Sequence, residues 1–65
     1  LESLDSRYDG WQVITATGQS IGTFICRDGS SPRVEQMREG RLVVQPVNLT
    51  FAERFAEGKM RLLRL

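Results

Sequence analysis

A glycine-centred turn recurs between runs of strand-forming residues, and its spacing restricts this chain to short antiparallel hairpins. The first turn, Thr17-Gly18-Gln19-Ser20, separates residues 11–17 (WQVITAT) from residues 20–26 (SIGTFIC). The second, Met37-Arg38-Glu39-Gly40-Arg41, separates residues 34–37 from residues 42–47. Both flanks are rich in β-branched and aromatic side chains, which suit a pleated surface. Connections this short leave no room for a crossover helix, so each pair of strands must run antiparallel.

The turns also predict registers. A two-residue Gly18-Gln19 loop places glycine at the first central position, as a type II′ turn requires. It pairs Thr17 with Ser20, Val13 with Phe24 and Trp11 with Cys26. Trp11, Val13, Phe24 and Cys26 then share the core face. Gln12, Ile14, Ala16, Ile21, Thr23 and Ile25 form the other face, which holds more isoleucine than a solvated face needs. At the second turn, a two-residue loop would set Arg38 against Arg41, and like charges directly opposite are destabilising. A three-residue loop with Gly40 left-handed is therefore expected, pairing Val34 with Val44 and Gln36 with Leu42. Pro46 has no N–H, so the fourth strand ends or lies at an edge there.

The remaining segments follow from the same rules. Residues 27–32 (RDGSSP) are loop by composition. Thr50 and Glu53 have capping-box spacing, Phe51 and Phe55 lie one turn apart, and Gly58 is placed to stop a helix. That helix is too short to stand alone, so its aromatics must plug the domain's end. Residues 59–65 (KMRLLRL) read as a fifth strand, with helix as the alternative because Met, Leu and Arg are good helix formers. Residues 1–10 form a flexible or short helical lead-in, with Leu1, Leu4 and Tyr8 at helical spacing and Asp9-Gly10 as a turn. Residues 11–65 make a single small β-barrel domain.

Four strands, one short helical turn and a fifth strand, in that order, resemble the SH3-like barrel class. The run Val13, Gly18, Ile21-Gly22 and Phe24 is also similar to the first hairpin of Sm-like and reaction-centre-type small barrels. Those families place a glycine turn before a hydrophobic–glycine pair. The second halves of their patterns are not matched, and no functional residue is carried over. The resemblance implies a mainly β fold: a five-stranded small SH3-like barrel of two hairpins, with the helical turn before the last strand. Small barrels bind proline-rich peptides, RNA, DNA or one another, so the fold leaves function open. A proline-binding groove needs clustered aromatics, and Tyr8, Trp11 and the three Phe are too few and too spread to form one.

Composition narrows the chemistry. A domain of 65 residues buries only about 60% of its unfolded surface and commonly gains from a staple. One cysteine and no histidine provide neither an internal disulfide nor a zinc site. No metal or cofactor is expected. The commonest general base is absent, no phosphate-binding glycine loop occurs, and Cys26 between Ile25 and Arg27 reads as a packing residue. The chain is therefore not expected to be an enzyme. Net charge is +1, which predicts no strong field for nucleic acid or membrane. The basic residues are nonetheless almost all Arg, with Lys59 the exception. No membrane-length apolar run occurs, and one free cysteine fits a reducing, cytoplasmic compartment. The start at Leu1 suggests a fragment or domain of a larger protein.

Two constellations remain as candidate sites. The surplus apolar face, Ile14, Ile21 and Ile25 with Trp11, suits a protein partner or self-association, including a homodimer, which would supply the missing staple. The alternative is nucleic-acid binding through Arg27, Arg33, Arg38, Arg41, Arg61 and Arg64. The first expectation is a non-enzymatic interaction module; the second is a nucleic-acid-binding small barrel.

Overall fold

The computed structural model describes residues 4–64; Leu1 and Leu65, which the lead-in and last-strand readings include, lie outside them. A 3-10 turn at Ser6–Tyr8 precedes β1 (Gln12–Thr15), β2 (Ser20–Ile25), β3 (Arg33–Arg38) and β4 (Arg41–Pro46). A helix, α1 (Leu49–Ala56), and a final strand, β5 (Met60–Leu63), follow. The strands form one antiparallel sheet in the order β4-β3-β2-β1-β5. β4 and β5 stand at its two ends and do not pair, so the sheet is open rather than a closed barrel.

The first hairpin differs from the II′ expectation. Gly18 N–H donates to Thr15 C=O, and Thr15 N–H donates to Gln19 C=O. The loop is therefore Ala16-Thr17-Gly18, with Gly18 left-handed at φ 88°, a three-residue hairpin. Gln12 pairs with Thr23 and Val13 with Gly22, not Phe24. Trp11 C=O accepts from Phe24 N–H, so Trp11 does not sit opposite Cys26. A displacement by two residues preserves the faces, which is why Val13, Phe24 and Cys26 still share the core.

Next to that loop the register slips, because Ile14 pairs with Ser20 while Val13 pairs with Gly22. Ile21 is the extra residue of a β-bulge. The bulge turns it away from the face shared by Ile14 and Ile25, and Ile21 packs against the core cluster instead.

The second hairpin reverses the expectation more deeply. Arg38 pairs with Arg41, leaving the two-residue loop Glu39-Gly40. Glu39 at φ 51° and Gly40 at φ 77° give the positive φ at both central residues that a type I′ turn requires. Val34 faces Gln45 and Gln36 faces Val43. This one-residue shift moves Leu42 and Val44 off the core face onto the opposite one.

The core consists of Val13, Phe24, Cys26, Val34, Phe51, Phe55 and Met60, with Leu4, Tyr8, Ile21, Val47 and Leu62 packed at its margin. Helix α1 supplies both phenylalanines from one face. Its N-cap is Asn48, not Thr50: the Asn48 Oδ1 accepts from Phe51 N–H at 3.2 Å. Asparagine is as good a cap as the chain offers, and starting there adds Leu49 and Thr50 to the helix and makes Phe51 its third residue. At the other end, Gly58 N–H donates to Phe55 C=O and Lys59 N–H to Arg54 C=O. This pair of bonds is a Schellman stop.

The lead-in is tied to the sheet. Gly10 N–H donates to Phe24 C=O, and the Asp9 carboxylate accepts from Cys26 N–H at 2.9 Å. Asp9 thus stands in for the backbone carbonyl that a longer β1 would have offered to β2.

Candidate interaction surface

One face of the sheet is the core, and the other carries the candidate surface. Strand alternation and the registers place Gln12, Ile14, Thr23, Ile25, Arg33, Glu35, Met37, Leu42, Val44 and Pro46 on that second face.

Its two halves differ. Towards β1 and β2, Ile14 and Ile25 are buried. An arginine lies directly across from each: Arg61 from Ile14, and Arg33 from Ile25. Aliphatic arginine stems at cross-strand distance cover apolar neighbours while the guanidinium stays wet. Ile14, Ile21 and Ile25 therefore do not make an exposed patch: two are buried and the third packs on the core. Trp11 is half-buried, with its ring edge-on to Tyr8 at 4.9 Å between centroids.

Towards β3 and β4 the face is open. Met37 is 67% exposed, Leu42 60% and Val44 48%. Met37 lies directly opposite Leu42, and Val44 lies two residues along the same strand. The three form one continuous apolar patch on the hairpin, bordered by Glu35, whose carboxylate pairs with Arg33 at 3.5 Å. The sequence held this patch, but only the Glu39-Gly40 turn type reveals it. With the wider loop, Leu42 and Val44 would have faced inward beside Val34.

β4 adds a free backbone edge. Val47 N–H donates to Pro32 C=O at 3.1 Å, which fixes the alternation along the hairpin. Arg41, Val43 and Gln45 direct their N–H and C=O groups at β3. Leu42, Val44 and Pro46 direct theirs outward. Pro46 thus sits where a missing N–H disturbs no bond within the hairpin. Among the described residues no strand pairs with this outer edge.

The six arginines are not brought together. Arg27, Arg33 and Arg64 lie at the end of the sheet where β2 finishes and β3 starts. Arg38 and Arg41 lie at the opposite end, at the tip of the second hairpin, and Arg61 is in β5. All but Arg33 are exposed. On the lead-in turn, the Asp5 carboxylate raises the Arg7 guanidinium above its ordinary value, mainly through their hydrogen bond and then through charge. Cys26 is buried in the core. Among the described residues, no group of three His, Cys, Asp or Glu is placed to hold a metal ion, and no helix is long and apolar enough to cross a membrane.

Comparison with protein-family models, with curated proteins and with solved structures finds no match to this chain.

Proposed function

We propose that this chain is a non-enzymatic interaction module whose contact surface is the outer face of the β3–β4 hairpin. The observation that carries the reading is the continuous exposure of Met37, Leu42 and Val44 beside an unpaired strand edge. Contiguous apolar surface of this kind marks a place where another molecule excludes water, whereas single exposed apolar residues carry no such meaning. Methionine adds an adaptable side chain that repacks against varied partners. The SH3-like reading of the fold is supported by the order of elements, with four strands in a meander, a short helix, and a fifth strand returning to β1. The division of the arginines between the two ends of the sheet favours protein over nucleic acid.

A photo-crosslinking side chain placed at Leu42, in the chain expressed in its own host, tests this. We expect protein adducts from position 42, their loss when Val44→Lys is added, and none from the same group at Asp28. Absence of protein adducts at position 42, or adducts removed by nuclease, overturns the proposal.

A further inference from the structure

Resting on that reading, we infer that the occupant of the β4 edge is a second copy of this chain, paired β4 to β4 in antiparallel fashion about a two-fold axis. The register is set by the strand itself. Only Leu42 and Val44 have outward N–H groups, because the third outward position is Pro46. In an antiparallel pair, directly opposite residues share a face and outward residues exchange both bonds.

Setting Leu42 opposite the second copy's Val44 satisfies every one of these conditions. Both outward N–H groups on each chain find a carbonyl, giving four backbone hydrogen bonds. Val43 meets its own copy on the axis. Pro46 falls opposite the second copy's Gly40, beyond the bonded stretch. The neighbouring registers do worse. Val44 against its own copy places Leu42 opposite Pro46, which accepts the Leu42 N–H but has no N–H to return, so the Leu42 C=O of each chain is left unbonded. Leu42 against its own copy sets Val44 opposite the second copy's Gly40, which is left-handed in the turn and lies outside the strand. Arg41 against its own copy sets like charges together. In the favoured register Arg41 faces Gln45, a neutral acceptor.

The same register joins the apolar patches. Leu42 and Val44 of each chain form a four-residue cluster on the outer face, with a Met37 at each side. The two sheets become one, and the ends of the exposed edge are already blunted by Arg41 and Pro46. The β5 edge offers no equivalent. Ala16 N–H donates to Lys59 C=O, so the outward groups of β5 belong to Met60 and Leu62. Those side chains turn into the core, and α1 packs against that strand.

A contact of this size belongs to the weak class, burying less than about 1,200 Å². Sedimentation equilibrium of the purified chain between about 10 µM and 1 mM should therefore show the mass climbing from 7.4 kDa towards twice that value. Val44→Pro deletes an outward N–H without touching a bond to β3, and should leave a folded monomer at every concentration. Should that proline disturb the hairpin, Val44→Lys keeps the N–H, and it should weaken association by about tenfold or more through the patch alone. Isotope-filtered NOEs in a mixed-label sample should connect Leu42 of one chain to Val44 of another. A single-chain mass at 1 mM overturns the inference, as does a dimer whose interchain contacts run through Leu62. A monomer whose Leu42 still crosslinks to a different protein in cells would sink the dimer and keep the interface. Loss of both would sink the two together.

Discussion

Gly22 shows how far one missing methyl group shapes this sheet. A Cβ there would lie 2.8 Å from Glu35 O, 2.8 Å from Val34 Cγ1 and 2.9 Å from Gln36 Cγ. Two of these obstacles belong to a neighbouring strand's backbone and to a fully buried valine, and neither can swing aside. Gly22→Ala should therefore destabilise by roughly 1–3 kcal/mol, as overpacking a filled core does. At this chain length each kcal/mol lowers Tm by about 4–8 °C, so thermal unfolding followed by circular dichroism checks it. The glycine was visible in the sequence; the neighbour that demands it was not, because Val34 reaches Gly22 only through the β2–β3 register. Ile21 carries the same lesson. Its place in strict alternation puts it beside Ile25, and a bulge, which leaves no compositional mark, turns it to the core. That Ile14 and Ile25 lie on the second face is legible from strand alternation alone. That arginines stand across from them depends on pairings the local pattern does not contain.

Among the elements, the second hairpin is where turn geometry outweighed charge. Two exposed guanidiniums across a strand pair cost a fraction of a kcal/mol to about 1 kcal/mol, and at a hairpin tip both extend into water. A type I′ loop matches the twist of its strands, and the chain accepts Glu39 at positive φ to obtain it. A non-glycine residue there carries roughly 1–2 kcal/mol of steric penalty, which asparagine largely avoids. Glu39→Asn should raise Tm without changing the strand registers, and unfolding melts with amide chemical shifts would show both. Gly40 is legible as a turn residue at once; the number of loop residues is not, and that number alone decides which side of the sheet Leu42 and Val44 occupy. Helix α1 was more readable, since the Phe51–Phe55 spacing and Gly58 carry its face and its stop. Its start is less legible, because Asn48 and Thr50 are both good caps and only the hydrogen bond from Phe51 N–H to Asn48 shows which one acts. Asn48→Ala should cost about 1 kcal/mol, while Thr50→Ala should stay within about 0.5 kcal/mol, measured by urea denaturation of the two variants side by side.

At the scale of the whole molecule, one core cluster serves the described residues, so Cys26 reports on global opening. With 65 residues and a stability of about 0.05–0.15 kcal/mol per residue, native thiol labelling should be slowed at least a hundredfold relative to the unfolded chain. Its rate should rise steeply with denaturant through the unfolding transition. Fast labelling of Cys26 under native conditions would show that the β2 end of the core opens on its own. The two hairpins and the five strands are legible locally, whereas the pairing of β2 with β3 and of β5 with β1 is not. Whether the sheet closes into a barrel could not be read locally, because closure depends on β4 and β5 meeting, and both are edge strands here.

The pairing of β1 with β5 also sets an order in time. Gln12 faces Leu63, so the ladder that completes the sheet joins the first strand to the last, while every other ladder joins consecutive strands. During synthesis β1 is the first of the five strands to be made and its partner β5 the last, so Met60 and Leu62 join the core after every other strand exists. The nascent chain therefore passes through a stage in which the outer side of β1 is as open as that of β4. At that stage it is most exposed to adding a strand from some other chain, and the pairing of residues 60–63 with β1 brings it to a close.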